Sequence, residues 1–286
     1  MRYFKALDVE GCSIGGQGFP WPLPHGKRPG KWLPPIKGDL VTCGNGYHVC
    51  TIDQVLDWLG PQIWEVEVRG DVVDAGDKTV ARSARIVAPT HWDDRTARLF
   101  ACDCVARALR RERKAGREPN KQNWEALRVA RLYAKGKVTK QDLAATFAAT
   151  EAATATAWDA ARATWPAARA AARATWPAAG DAGYATGATW YPTGATWNAT
   201  QAADWVTWVA AKAAGAAAGD AGYASKIAAL AATEAVWTVW AAAKTAGRTA
   251  SAATEFAAWK AERRWQALRL LEYLDGERGR PGEVTP

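Results

Sequence analysis

The chain has 286 residues, of which 49% are hydrophobic, and its 37 basic and 29 acidic side chains give a formal net charge of +8. This length allows two ordinary domains, and the charge tolerates an anionic partner without identifying one. The N-terminal residues lack the apolar core of a signal peptide, and the longest weakly polar stretch is too polar to favour a membrane span. The five cysteines lack the spacing of a disulfide framework, which favours the cytoplasm.

The N-terminal part of the chain predicts a small α+β domain over residues 1–90. Arg2–Leu7 has the composition of a strand, and the Gly- and Pro-rich stretch Gly11–Pro35 is too irregular for a helix or a strand. This long loop contains Trp21 and Trp32. Stiff prolines beside large aromatic rings favour a loop that packs down on the domain or lines a groove.

A hairpin and a short helix follow this loop. The strands Leu40–Thr42 and Tyr47–Cys50 bracket a Gly-Asn-Gly turn, which is a strong hairpin signal. Thr51 and Gln54 have the spacing of a capping box, so we expect a helix over Ile52–Leu59.

Two further strands complete the predicted domain. In Ile63–Arg69, apolar residues alternate with charged ones, which indicates a strand with one buried face. Lys78–Val87 is the expected neighbour of that strand in the same sheet.

Three helices are predicted directly after this domain. Asp93 or Asp94 can cap the first, in which apolar residues recur at helical spacing opposite an Arg-rich face. The second covers Lys121–Lys135 and stops at Gly136. The third starts at Thr139, with Asp142 as its capping partner.

Beyond these helices the chain is rich in Ala, Thr and Trp and contains short repeats. Ala-Thr-Trp-Pro occurs at 163–166 and 174–177, and Gly-Asp-Ala-Gly-Tyr-Ala occurs at 180–185 and 219–224. Because Ala lets helix backbones approach closely, we expect stacked helices whose gaps are filled by Trp. The expected helices are Thr200–Ala218, Ser225–Ala246 and Ser251–Leu274.

The predicted fold class is an α+β N-terminal domain followed by an all-α, Ala/Trp-rich helical bundle or helical repeat region. The helical domain is expected over 91–276, with a flexible tail over 277–286. A bundle of this composition needs large rings to fill the space that Ala leaves.

Two stretches of the sequence resemble known families. The first pattern comprises Phe4-Lys5-Ala6, Leu40-Val41-Thr42-Cys43, Gly46-Tyr47-His48-Val49-Cys50, Trp64-Glu65-Val66-Glu67-Val68 and Arg85-Ile86. It resembles an uncharacterised domain family of phage and bacterial proteins. The second pattern comprises 95–104, 124–127 and 131–136, and it is similar to an Ala-rich helical family of immunity proteins. The first resemblance implies no activity, whereas the second implies a protein that binds and neutralises a toxin. A phage origin would fit both and would place the protein in the host cytoplasm.

An enzymatic alternative rests on four polar residues of the N-terminal domain. ADP-ribosyltransferase-like folds place a His or Tyr on one strand and a Glu on another, and Tyr47, His48, Glu65 and Glu67 are the candidates here. Strand alternation puts Tyr47 and His48 on opposite faces, and a lone His among aromatic residues is more often structural.

The cysteines and His48 do not have the spacing of a zinc site. Cys43, His48 and Cys50 have ligand chemistry, with Cys102 and Cys104 as further thiols. Residues two apart on a helix point in different directions, so Cys102 and Cys104 do not share one metal, and no Cys-x-x-Cys is present. We therefore expect no metal and no cofactor.

A nucleic-acid interface is a second alternative. Six basic residues on the first helix could contact phosphates, although a solvated helix face explains them as well. They are Arg107, Arg110, Arg111, Arg113, Lys114 and Arg117.

The preferred interpretation is a non-enzymatic protein that neutralises or docks a protein partner, with a binding surface on its helical half and a second contact on its N-terminal domain. Exposed aromatic residues are hot-spot material in interfaces. Trp21, Trp32, Tyr47 and His48 are therefore the expected partner contacts of the N-terminal domain. A homo-oligomer is left open.

Overall fold

The structure, a computed structural model, describes residues 1–14, 18–114, 116, 118–146, 148–149, 232 and 252–279. The sequence repeats and, apart from Ala232, the predicted helices Thr200–Ala218 and Ser225–Ala246 lie outside the described residues.

A four-stranded antiparallel sheet forms the N-terminal part of the protein. Its strands are β1 (Tyr3–Leu7), β2 (Tyr47–Val49), β3 (Gln62–Asp74) and β4 (Thr79–Pro89), in the order β1-β3-β4-β2. The two outer strands approach each other, because the N–H groups of Phe4 and Cys50 each donate to the carbonyl oxygen of the other at 2.8 Å. The sheet therefore curls into a half-barrel.

Irregular pairing between β3 and β4 contributes to this curl. The register shifts between Glu65 and Val66 and again between Arg69 and Val72. Gly70 lies in the second irregularity with φ of 78°, a left-handed conformation that glycine adopts without steric cost. Bulges of this kind bend a strand and increase its twist.

Five helical segments are found in the described part of the chain. They are α1 (Ile52–Val55), α2 (Asp94–Lys114), α3 (Lys121–Ala134), α4 over 140–146, and α5 (Ala252–Leu274). Local chemistry sets several of their ends. The Thr51 N–H donates to Gln54 Oε1 at 2.9 Å, and the Thr139 N–H donates to Asp142 Oδ2 at 2.8 Å. Both predicted capping pairs are thus confirmed, although α1 is shorter than expected.

Apolar side chains form two clusters on opposite sides of the sheet. The half-barrel core comprises Leu7, Trp21, Leu33, Val49, Val66, Ala81, Ala84 and Ile86. The helix-side core joins Phe4 of β1 and Ile63 of β3 to apolar residues of α1, α2, α3 and α5. Successive strand residues point to opposite faces, which is how one short strand serves both cores.

Buried ion pairs connect the helices. The Asp103 carboxylate of α2 accepts hydrogen bonds from Arg131 of α3 at 2.8 Å and from the Tyr273 hydroxyl of α5 at 3.1 Å. Glu262 of α5 is almost fully buried and accepts from Arg107 of α2 at 2.8 Å. Charged groups in such places are tolerated because each is paired.

The predicted fold class is wrong in its second half. An α+β domain followed by an all-α bundle or helical repeat was expected. The described chain is instead a half-barrel with a few helices, and those helices share a core with Phe4 and Ile63 of the sheet. The reason is that Phe4 on β1 and Ile63 on β3 are apolar and are buried against the helices. The domain boundary near residue 90 stays a prediction.

The predicted hairpin is also wrong. Leu40–Thr42 is not a strand and makes only an isolated bridge between Val41 and Asn45, whereas β2 pairs with β4. In the predicted tail, the Glu277 N–H donates to the Glu272 carbonyl at 2.9 Å, and residues 280–286 lie outside the described part.

Candidate binding surface

The Pro-rich loop over residues 18–38, called the basic loop below, is fixed to the sheet by its backbone. The N–H groups of Gly30, Leu33 and Ile36 donate to carbonyl oxygens of Ile86, Ala84 and Arg82 on β4, each at 2.9 Å. The Ser83 hydroxyl also donates to the Leu33 carbonyl at 2.7 Å. These bonds run along the β4 edge beyond the end of β2, so the loop is a fixed part of the surface.

Gly30 is the point of closest approach between the loop and the sheet. A Cβ at this position would collide with the carbonyl oxygen of Pro22 and would stand 3.3 Å from that of Ile86. A residue without a side chain is therefore required for the loop to lie flat on β4.

The basic loop carries positive charge without local compensation. Lys27, Arg28, Lys31 and Lys37 are exposed, and no acidic residue occurs between Gly11 and Gly38. None of these four side chains forms an ion pair with a described residue. Residues 1–90 contain ten basic and ten acidic side chains in total, so the charge of this region is polarised towards the loop.

Trp32 extends this surface onto the outer face of the sheet. The guanidinium groups of Arg69 on β3 and Arg85 on β4 lie 4.3 and 4.7 Å from its ring centroid. Arg85 also donates to Glu67 Oε2 at 2.7 Å, whereas Arg69 is exposed and has no ion-pair partner among the described residues. Cation–π stacking of this kind holds an arginine in place while its N–H groups stay available.

Trp21, the other tryptophan of the loop, is buried rather than presented. It is 5% exposed, and its indole N–H donates to the Ser13 hydroxyl at 2.8 Å. Its ring packs at 6.2 Å from the rings of both Phe19 and Tyr47. Of these aromatic residues, Phe19 is 44% exposed, so Phe19 rather than Trp21 reaches the surface.

Lys5 is a buried cation at the edge of the half-barrel core. It is 8% exposed, its ammonium group lies 5.1 Å from the Trp21 ring, and it donates to the His48 carbonyl at 3.0 Å. No carboxylate accepts from it among the described residues. Burial therefore lowers the pKa of Lys5 to about 8, since the charged form loses hydration.

Tyr47 and His48 lie on β2, next to the basic loop. The Tyr47 hydroxyl donates to the Pro34 carbonyl at 2.9 Å, and burial raises its pKa. His48 is half-buried, and its Nε2 accepts a hydrogen bond from the Cys43 N–H at 3.1 Å. The pKa of His48 is lowered by burial and, to a smaller extent, by the nearby Lys5 and Lys78.

The structure does not bring together the four residues of the enzymatic alternative. Glu65 pairs with Arg2, and Glu67 pairs with Arg85. Along β4, Glu67 lies opposite Arg85 and His48 lies opposite Val80, which separates them by roughly 16 Å at strand spacing. These carboxylates are thus engaged in ion pairs away from His48.

The cysteines form no shared site in the described residues. Burial raises the pKa of Cys50 to about 12 and that of Cys102 to about 12, and it also raises the pKa of Cys104 well above its usual value. Buried thiols that stay protonated are poor metal ligands. No group of three or more His, Cys, Asp or Glu among the described residues could hold a metal ion.

The Arg-rich face of α2 is largely used within the protein. Arg107 and Arg111 pair with Glu262, and Arg113 donates to Glu118 Oε2 at 3.0 Å. Arg110 and Lys114 are exposed, and Arg117 lies outside the described residues. In the described part, the predicted nucleic-acid surface therefore keeps two exposed cations that have no ion-pair partner there.

Comparison of the chain with protein-family models, curated proteins and solved structures returned no match. The resemblances to a phage domain family and to immunity proteins thus stay predictions. Within the described ranges, no helix combines the length and apolarity needed to cross a lipid bilayer.

Sequence reasoning missed Lys5 and Arg69 as members of this region. Lys5 lies in a strand where alternation alone cannot show that a lysine points inwards. The basic loop, in contrast, has a visible signal, because the stretch 11–38 contains basic residues and no acidic ones.

Proposed function

We propose that this protein is a binding protein that docks an acidic segment of a partner protein on the surface formed by the basic loop and the Trp32–Arg69–Arg85 stack. The observation that carries the proposal is the fixed, uncompensated charge of the loop. Its backbone is bonded to β4 at three points, while Lys27, Arg28 and Lys31 remain exposed without ion-pair partners in the described chain. A surface fixed before binding loses little conformational freedom when a partner arrives.

Two features favour an acidic protein segment over a nucleic acid. First, two guanidinium groups already stack on Trp32, which leaves less of its ring for a base. Second, exposed apolar side chains adjoin the positive charge, since Phe19 is 44% and Leu23 is 41% exposed. Aromatic and apolar residues beside Arg are typical of protein interfaces.

The test uses the full chain and a fluorescein-labelled peptide that is rich in Asp and Glu and contains Phe and Leu. The triple variant Lys27→Gln/Arg28→Gln/Lys31→Gln should weaken binding by about tenfold, because three rim charges contribute about 0.5 kcal/mol each. Fluorescence anisotropy at low salt measures the Kd.

A charge-matched control separates this surface from general basicity. Lys121→Gln/Lys137→Gln/Lys140→Gln removes three exposed lysines of the helical part and should leave the Kd unchanged. An equal loss of affinity for the peptide in both triple variants would contradict the proposal. Tighter binding of a single-stranded oligonucleotide through the same loop residues would replace it with a nucleic-acid function.

A further inference from the structure

The turn between the basic loop and β2 is held by a hydrogen bond that a histidine can accept only when it is uncharged. The Cys43 N–H donates to His48 Nε2 at 3.1 Å. A neutral imidazole has one acceptor nitrogen, whereas both nitrogens of the protonated ring are donors. When His48 is protonated, its Nε2–H and the Cys43 N–H are both donors, so they can no longer form a hydrogen bond with each other.

The same turn also holds the end of the basic loop. Asn45 Nδ2 donates to the carbonyl oxygens of Lys37 at 2.9 Å and Asp39 at 2.8 Å. Within the turn, the Val41 N–H donates to the Asn45 carbonyl at 2.8 Å, and the Asn45 N–H donates back to the Val41 carbonyl at 2.9 Å. The loop end and the turn are therefore one hydrogen-bonded unit.

Cys43 lies at the strained point of this unit. Its φ is 59°, the one positive φ of a non-glycine residue in the described chain. A side chain disfavours this left-handed conformation, so surrounding contacts must hold it there. The bond from the Cys43 N–H to His48 is the backbone contact at that residue which depends on a titratable group, and the Cys43 side chain has a further hydrogen bond with Lys78.

We propose that His48 is a proton-operated latch on the basic loop. While neutral, it accepts from the Cys43 N–H and holds the turn over 41–46. Once protonated, it loses this bond, and the turn opens together with the Lys37–Asp39 end of the loop. The latch concerns the conformation of the loop and stands whether or not an acidic partner binds there.

The groups around His48 set the direction of the switch. Burial is the largest influence that disfavours a protonated His48 ring. Lys5 on β1 and Lys78 beside β4 also disfavour the protonated ring, whereas Asp77 favours it. The folded protein therefore holds the His48 proton less tightly than the unfolded chain, whose pKa is near 6.5. The latch is closed at neutral pH, and its contribution to stability is lost as pH falls below 6.5.

Hydrogen–deuterium exchange of the full chain, corrected for the intrinsic pH dependence of exchange, tests the latch at about pH 7.5 and about pH 5. In the wild type, protection of the segment over 41–46 should fall about fivefold or more at the lower pH, as expected for one lost hydrogen bond. In His48→Gln, whose amide oxygen accepts at both pH values, protection should not change with pH.

His25→Gln is the matched control, because His25 lies in the same loop and its hydrogen bonds in the described chain go to Arg28 and not to the turn. It should show the wild-type fall. The absence of a fall in the wild type, or an equal fall in His48→Gln, would overturn the latch. If His48→Gln does not fold, NMR titration of the wild-type imidazoles decides. The pH midpoint at which protection of the turn is lost must equal the midpoint of the His48 titration. A midpoint that equals that of His25 alone would overturn the proposal.

Discussion

Lys5 shows how a single residue can carry a stability cost that is set by pH. Its ammonium group is buried against Trp21 and has one carbonyl acceptor. Lowering its pKa from 10.5 to about 8, at ~1.4 kcal/mol per pKa unit, corresponds to roughly 3 kcal/mol against the charged form. Between these two values the unfolded chain binds a proton that the folded protein lacks. Stability attributable to Lys5 therefore rises with pH across that window.

Lys5→Met removes this cost while keeping most of the side-chain volume. We expect the variant to be more stable than the wild type at neutral pH by up to about 3 kcal/mol, and the difference to shrink as pH rises from about 8 towards about 10.5. Urea unfolding of both proteins across this range measures it. Lys31→Met, at an exposed position, should show no such trend. If the free energies of unfolding of the wild type and Lys5→Met change with pH in parallel, the stability cost is not due to Lys5.

The sequence predicts the roles of residues that interact with others close to them in the chain. It does not predict the roles of residues whose partners are far away in the sequence. The capping pairs Thr51–Gln54 and Thr139–Asp142 are local, and both formed. Trp21 was expected to face a partner, but it fills the half-barrel core because residues from four strands converge on it. Composition shows that a large ring needs space but not where the space is.

At the scale of elements, Gly30 determines whether the basic loop can lie on β4. A side chain there would collide with Pro22. We expect Gly30→Ala to destabilise the protein by about 1–3 kcal/mol, as overpacking does, and to raise hydrogen exchange of the loop more than that of α2. Gly26→Ala is a useful comparison, because a Cβ at Gly26 meets no atom within 4 Å, although its φ is 58°. A loop that stays protected in Gly30→Ala would contradict this description.

The packing of α5 on α2 depends on a buried carboxylate. Glu262 is 1% exposed and faces Arg107 and Arg111, whereas Glu118 is 63% exposed and faces Arg113. Glu262→Ala leaves two cations near a buried, unpaired site and should cost about 3 kcal/mol. Glu118→Ala should cost under about 1 kcal/mol. Chemical denaturation of both variants provides the comparison, and equal costs would show that the Glu262 pair is not structurally important.

Strand pairing marks the limit of local prediction among the elements. The Gly-Asn-Gly sequence correctly indicated a turn, but the strand after it pairs with β4, whose paired residues lie 30 to 34 positions further along the sequence. Leu40–Thr42 was assigned as the partner because it was nearby. Alternation in Ile63–Arg69 did predict β3, since this pattern reflects the two faces of a strand whatever its partner is.

At the scale of the molecule, the helices complete the core of the sheet. Phe4 and Ile63 pack in one cluster with Phe100 of α2 and Leu270 of α5. The sequence favoured a separate helical assembly because its Ala content is high after residue 91, but composition does not show which surface a helix covers. The N-terminal half-barrel was easier to anticipate, since its strands carry their own alternating pattern.

At the scale of the molecule, four cations that have no ion-pair partner among the described residues are grouped on one loop. Lys27, Arg28, Lys31 and Lys37 lie on the basic loop, whereas the arginines of α2 that were expected to bind nucleic acid are mostly paired with Glu262 and Glu118. The central claim is therefore one of location. An acidic partner should meet the loop and not the helices.

Zero-length cross-linking of carboxylates to lysines measures that location directly. The full chain is incubated with the Asp- and Glu-rich peptide, activated with a carbodiimide and mapped by mass spectrometry. We predict cross-links at Lys27, Lys31 and Lys37, because carboxylates held on this surface lie within bonding distance of those amines. Cross-links concentrated at Lys114, Lys121, Lys137 and Lys140 would contradict the account.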